Sequence, residues 1–197
     1  MCSSDLTVAV IGGGAAGLTA AHFLVRAGLH VDLYDQDRSI LKRARLLNLP
    51  GAVELEGREL LAQLRAKLDE ASVTTRAGKV DDVVPDGGRL VVRSEQAGDV
   101  TADYVVLATG QGTLRLASLP LETTEARQPF VKQNVVTDRW GATSVPGVYA
   151  CGVLAGWPSQ AVVCAGSGAA VAIEIATAAH GAFWVDHDDT RLAPDPE

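Results

Sequence analysis

Residues 7–17 read Thr-Val-Ala-Val-Ile-Gly-Gly-Gly-Ala-Ala-Gly, and this stretch decides the fold. Thr7–Ile11 is a short β-branched apolar run ending in three glycines, the pattern of a buried parallel strand entering a tight turn. From Ala15 to Ala27 the apolar residues Leu18, Ala21, Leu24 and Val25 recur at helical spacing, and Gly28 supplies a stop. His30–Tyr34 then reads as a second strand closing on Asp35, which completes a βαβ unit within the first 35 residues.

Between that strand and helix, Gly12-Gly13-Gly14-Ala15-Ala16-Gly17 satisfies G-x-G-x-x-G. Gly12 permits the tight turn, Gly14 lets backbone approach a pyrophosphate, and Gly17 allows close helix–strand packing. The helix start, at Ala15 and Ala16, presents free N–H groups and a partial positive charge to phosphates. A glycine-rich turn without a ligand can satisfy the same spacing. The strand before, the helix after and an acidic residue eighteen positions past Gly17 together point to a bound dinucleotide. Asp35 is placed to accept hydrogen bonds from an adenosine ribose, which makes a 2′-phosphate unwelcome and disfavours NADP here. Gln36 beside it joins the expected cofactor-binding set.

The chain has 197 residues, 47% of them hydrophobic, with 17 basic and 24 acidic side chains for a net charge of −7. That size suits one domain with its own core. The charge argues against nucleic acid, which needs clustered Lys and Arg, and does not favour an acidic partner. The cysteines, Cys2, Cys151 and Cys164, form no CxxC and no zinc-type spacing, so neither a disulfide framework nor a structural metal is expected and a reducing, cytoplasmic setting is. The N-terminus, acidic at Asp5, lacks signal-peptide organisation. Ala161–Ala179 approaches the length of a membrane span, but it is built of Ala, Gly and Val and carries Glu174, so it reads as a closely packed helix and no membrane partner is expected.

Gln36–Gly51 is a basic connection, and an amphipathic helix follows around Arg58–Ala71, with Leu60, Leu61, Leu64 and Leu68 on one face. Val73–Arg76 reads as a third strand. Val80–Val84 and Arg89–Ser94, split by Asp86-Gly87-Gly88, make a hairpin to which Val100–Asp103 adds a strand. Tyr104–Ala108 is another apolar strand ending at Thr109-Gly110, and Gln111–Pro129 is read as mostly irregular. Phe130–Val136 is strand-like, Val148–Cys151 is a short strand, and Ser159–Ala179 is the final helix. The expected organisation is a single domain over 1–180 and a polar, loose tail over 181–197, apart from Phe183 and Trp184.

Several of these segments resemble the FAD half of the thioredoxin reductase family, within the wider flavoprotein disulfide reductases. They are Val8–Gly17, Asn48–Gly51, Tyr104–Gly110 with its Ala108-Thr109-Gly110, and above all Thr143–Gly168. The resemblance runs from about Thr7 to Ala178 and implies a three-layer, Rossmann-like α/β domain with a β-meander insertion, holding FAD. It implies that Gly152, Gln160 and Ala161 line the flavin site and that the helix beginning near Ser159 aims its N-terminus at the flavin N1/O2 side. It also brings Thr109 and Gly110 into the cofactor-binding set, sets Asn48 near the flavin or ribityl, and sets the Val80 backbone near the adenine. A plain turn and a hairpin edge are the alternative roles for Asn48 and Val80.

The chain departs from that family in three ways. Only Gly112–Pro129 occupies the place where the family inserts its NADPH domain, too short for the ~30 residues of a βαβ unit, and no second glycine fingerprint exists. The redox CxxC of that domain is absent. Val153 stands where the family has the Asp of Gly-Asp, and Ser159 replaces a family Arg. Losing the Val153 contact should weaken FAD by about 1 kcal/mol for a neutral hydrogen bond.

Cys151 and Cys164 read either as a redox pair near the flavin or, more commonly for such residues, as small buried side chains. Trp157 reads as a flavin-stacking or a packing residue. His22 and His30 have no partner cluster, and His187 with Asp186, Asp188 and Asp189 is read as a solvated acidic run, so no metal is assigned. No Ser-His-Asp arrangement is identifiable. The expected function is a minimal FAD-dependent oxidoreductase whose flavin exchanges electrons with a separate donor or acceptor, NAD(P)H or a redox protein, with one flavin face open or covered by the mate of a homodimer. The alternative is a non-catalytic FAD- or NAD-binding module.

Overall fold

The computed structural model describes residues 5–51, 54–71, 73–111 and 116–187. Cys2, Asp188, Asp189 and most of the expected tail lie outside them. A five-stranded parallel sheet forms the middle layer, from β1 (Thr7–Ile11), β2 (His30–Asp35), β5 (Thr74–Ala77), β9 (Tyr104–Leu107) and β12 (Val148–Ala150), in the order β12-β9-β1-β2-β5. The fingerprint strand β1 is therefore central, paired with β2 from Thr7↔His30 to Ile11↔Tyr34 and with β9 from Val8↔Tyr104 to Ile11↔Leu107.

Successive strand residues point to opposite faces, and the two faces meet different covers. Val8, Val10, Leu33 and Val106 join a core with helices α1 (Ala15–Arg26), α2 (Gly57–Glu70) and α3 (Ala161–His180). Ala9, Ile11, Tyr34, Val105 and Leu107 join a second core with the antiparallel meander of β6 (Asp82–Asp86), β7 (Arg89–Arg93) and β8 (Val100–Ala102). The β6–β7 turn is the two glycines Gly87 and Gly88, at φ +55° and +87°, as a primed turn requires. On α2, Leu61 and Leu68 are fully buried while Leu60 and Leu64 are half-buried.

Gln111–Pro129 contains more structure than its sequence suggests. Thr123–Glu125 (β10) pairs antiparallel with Gln133–Val135 (β11), Thr123 opposite Val135. All three β10 residues are exposed, so no apolar alternation marks the strand, and its partner strand alone creates it. Two-residue strands Arg45–Leu46 (β3) and Leu55–Glu56 (β4) and 3-10 turns at Ile40–Arg43 and Gly152–Ala155 likewise leave no periodic signal. Beyond α3 the chain stays in contact with it and with α1: the Trp184 N–H donates to Thr177 Oγ1 at 3.2 Å, the Trp184 ring meets Phe23 edge-on, and Arg26 pairs with Asp186 at 2.5 Å.

Helix α3 is the described helix long and apolar enough to cross a membrane by length and composition. Its small residues have a different explanation, because they let it lie against α1. A Cβ on Gly168 would stand 2.1 Å from the Ala16 carbonyl oxygen, and one on Gly17 would stand 1.8 Å from that of Gly12. Gly166, by contrast, has open space around it. Gly168→Ala should therefore destabilise the fold by about 2 kcal/mol through overpacking. Gly166→Ala should stabilise it by up to about 1 kcal/mol through helix propensity. Urea unfolding of the two variants checks this, and equal effects would contradict the packing account.

Candidate functional site

The carboxyl ends of β1, β9 and β12 deliver Gly12, Ala108 and Cys151 to one edge of the sheet, where ligands bind in open α/β folds. A cleft runs along that edge in two joined halves. One, of about 390 Å³, is lined by Ala15, Ala16, Asn48, Gly152, Gln160 and Ala161 among others. The other, of about 360 Å³, is lined by Gly12, Asp35, Gln36, Val80 and Thr109 among others. Gly14, Ser39, Ile40, Ala108, Gly110 and Gln111 border both. Of the cofactor-binding set expected from the sequence, Gly17 stands apart, under the turn, where its missing side chain lets α1 pass over Gly12.

The fingerprint glycines divide their roles. Gly12 has φ +115°, and a Cβ there would lie 2.4 Å from the Ala108 carbonyl oxygen. Gly13 makes room for Asp35, whose Oδ2 would stand 2.1 Å from a Cβ, and its N–H donates to Asp35 Oδ1 at 3.3 Å. Gly14 has an ordinary φ of −86°, and its Cβ would meet nothing closer than Ser39 Oγ at 3.6 Å. Among the described residues no atom requires glycine at position 14; it borders the cleft.

Two helix N-termini face this edge. The α1 ladder begins with Leu18 N–H donating to Gly14 O at 2.9 Å, and the α3 ladder with Cys164 N–H donating to Gln160 O at 2.9 Å. The first N–H groups of each helix therefore have no intrahelical acceptor and carry the positive end of the dipole. The buried Thr109 Oγ1 in the cleft wall has no hydrogen-bond partner among the described residues, an orphan that a polar ligand would satisfy.

Across the opening, Asn48 Nδ2 donates to Gln160 Oε1 at 2.6 Å. The 3-10 turn after β12 is tied down by Gly152 N–H donating to Ser167 Oγ (2.9 Å) and by the buried Asn134 amide donating to Val153 O (2.8 Å). Val153 itself is buried in the cleft wall. Trp157 is half-exposed and does not line the cleft. Sequence reading missed the 3-10 turn at Ile40–Arg43, whose Ser39, Ile40 and Leu41 line the cleft, and Arg65, which pairs with Asp35 at 2.7 Å. The turn is too short for periodicity, and Arg65 reads as one charge on a solvated helix face.

Cys151 and Cys164 both line the cleft as free, buried thiols. Burial pushes Cys151 up to about 12, with Cys164 adding to the shift. Cys164 is also raised by burial, against opposing hydrogen bonds from the Gln160 and Val153 backbones, and its Sγ lies 3.6 Å from the Pro158 carbonyl oxygen. A thiol held neutral in this way is a poor nucleophile.

This cleft, with its fingerprint turn and paired helix termini, defines an α/β dinucleotide-binding domain of the oxidoreductase type. A profile of the pyridine nucleotide-disulphide oxidoreductases matches residues 6–131, and the chain belongs to that family, whose members carry a flavin. Its fold is shared with a thioredoxin reductase from Gloeobacter violaceus (19% identity, TM-score 0.78), over 93% of this chain and 99% of that one. An oxidoreductase from Agrobacterium tumefaciens matches at 17% identity and TM-score 0.77, over 89% of this chain and 97% of its own. A ferredoxin-flavin thioredoxin reductase from Clostridium acetobutylicum matches at 17% identity and TM-score 0.71, over 88% and 96%. No curated protein matches the chain.

The thiol environment gives a pH prediction. Between pH 9.0, where an unfolded thiol ionises, and about 12, where folded Cys151 does, the unfolded state binds fewer protons. Stability therefore falls as pH rises through that window. Cys151→Ala should flatten this slope in urea midpoints measured from pH 8 to 11, and native Cys151 should resist iodoacetamide at pH 8 by peptide mapping. Rapid native labelling, or an unchanged slope, would contradict the assignment.

Proposed function

We propose that the chain is a minimal FAD-dependent oxidoreductase that exchanges electrons, through its flavin, with a separate donor or acceptor, NAD(P)H or a redox protein. The observation that carries this reading is Gly14. It is a glycine that the protein's own packing does not require, at the junction of both cleft halves and next to the N–H groups of α1. Close approach of a pyrophosphate supplies the missing reason. Gly12, Gly14, Ala15 and Ala16 would then hold the phosphates, with Asp35, Gln36 and Val80 on the adenosine side and Thr109 and Gly110 between the halves. Asn48, Gly152, Gln160 and Ala161 would hold the flavin side.

FAD, when bound, supplies the electron-transfer chemistry that no side chain here provides. The chain's own contribution is placement and field. The α3 N-terminus favours negative charge beside Gln160 and Ala161. The neutral Cys151 and Cys164 thiols line the site without forming a thiolate pair. The 197 residues contain no CxxC and insert no second dinucleotide unit between β9 and β10, which supports an electron partner that reaches the flavin from outside this domain. Apolar Val153 in the cleft wall favours the second reading, a module that holds FAD or NAD without turnover.

Reconstitution separates the two. The purified chain should take up FAD with visible flavin bands that bleach anaerobically with NAD(P)H or a reduced redox protein. Bands that resist every donor support the non-catalytic module, and a chain that cannot be loaded with FAD contradicts both flavin readings. Val153→Asp should restore a hydrogen-bonding group and tighten FAD about fivefold in a fluorescence titration. Unchanged or weaker binding would show that the ribityl lies elsewhere.

A further inference from the structure

Residues 36–46 cross the cleft as a strap. Arg38, Ser39 and Ile40 border the adenosine half, and Ser39, Ile40 and Leu41 border the other. Near its start stands Asp37, a non-glycine residue in the left-handed region at φ +55°, a conformation that needs local support. Two carboxylates supply it. Asp37 N–H donates to Asp35 Oδ1 at 2.9 Å, and the Asp37 side chain accepts from Lys42 farther along the strap. That bond, with Arg65 nearby, holds the Asp37 carboxyl below its usual range.

One cation outside the strap joins both carboxylates. Arg65 Nη2, on α2, donates to Asp35 Oδ2 at 2.7 Å and to Asp37 Oδ1 at 3.0 Å. Its side chain is only 33% exposed and that of Asp35 only 11%, so the pair is screened far less than a surface ion pair. Helix α2 is held rigidly against the strap, because Gly57 packs so close that a Cβ would lie 1.8 Å from the Leu41 carbonyl oxygen. With Gly13 N–H and Asp37 N–H on Oδ1 and Arg65 on Oδ2, the Asp35 carboxylate has one fixed orientation left for a sugar hydroxyl.

We propose that Arg65 is a positioning residue for the adenosine half of the cofactor. By bridging Asp35 and Asp37 it holds the ribose-accepting carboxylate and the strap in one closed arrangement. Removing its charge therefore loosens adenine nucleotides in general rather than the flavin in particular. This rests on the dinucleotide reading above.

The test is calorimetric titration of the full chain with ADP and, separately, with FAD, for the wild type, Arg65→Gln, Arg65→Lys and Asp37→Asn, with thermal melting as the fold control. Arg65→Gln should weaken both ligands by the same factor, about tenfold. Arg65→Lys should recover most of that, and Asp37→Asn should show a smaller loss for both ligands. A folded Arg65→Gln with unchanged ADP affinity, a loss confined to FAD, or no recovery by Lys overturns the inference. If Arg65→Gln does not fold, Asp37→Asn decides, and unchanged ADP affinity in it overturns the inference equally. A wild-type chain that binds neither ligand contradicts the dinucleotide reading and this inference with it, whereas wild-type binding with an indifferent Arg65→Gln contradicts this inference alone.

Discussion

The rest of the structure depends on close backbone contact at Gly12, Gly17 and Gly168, which seats the β1–α1 turn against Ala108, α1 over Gly12, and α3 against Ala16 of α1. Each of these glycines faces a carbonyl oxygen at a distance no side chain tolerates. The contact fixes how α1 leaves β1 and how α3 leaves β12, so both helices begin at the same edge of the sheet. A Cβ on Gly152 would come 3.0 Å from the Ala16 Cβ, which shows how tightly the two turns approach. Core stability and site geometry thus share one origin, and glycine at position 168 of α3 answers to close packing against α1.

From that contact follows the division of the cleft. The β1–α1 turn serves the half beside Asp35, and the β12–α3 turn serves the half beside Gln160, with Gly14 and Ala108 at the junction. Both helices begin in the half beside Gln160, α1 at Ala15 and α3 at Ala161, and the α1 N-cap Gly14 borders the other half as well, so negative charge is welcome along this edge. Burial raises both thiols in the wall, so neither places a thiolate charge in the cleft at neutral pH. A short connection between β9 and β10 leaves the cleft without an inserted second domain.

Much of this was legible in the sequence where a physical pattern is written into residue order. Strand β1, helix α1 and strand β2 follow from periodicity and glycine placement, and the meander follows from alternation and a glycine turn. What escaped reading was made by tertiary contact. Strand β10 exists because β11 pairs with it, and the Ile40–Arg43 turn is shaped by Asp37 and α2 rather than by its own four residues. The fingerprint gives Gly13 no role of its own, yet its missing side chain is what admits Asp35. The tie from Arg65 to Asp35 spans thirty residues and has no local signature.

The most direct test of the account is Gly14→Ala, measured for both stability and FAD affinity. The backbone at Gly14 suits any residue and its surroundings leave room for a methyl group. The folding free energy should therefore stay within about 1 kcal/mol of wild type, the scale of an N-cap change. FAD affinity should fall by about tenfold or more, because the methyl group occupies the approach of the pyrophosphate. Undiminished FAD binding in a stably folded Gly14→Ala chain would contradict the claim that this turn is a phosphate cradle.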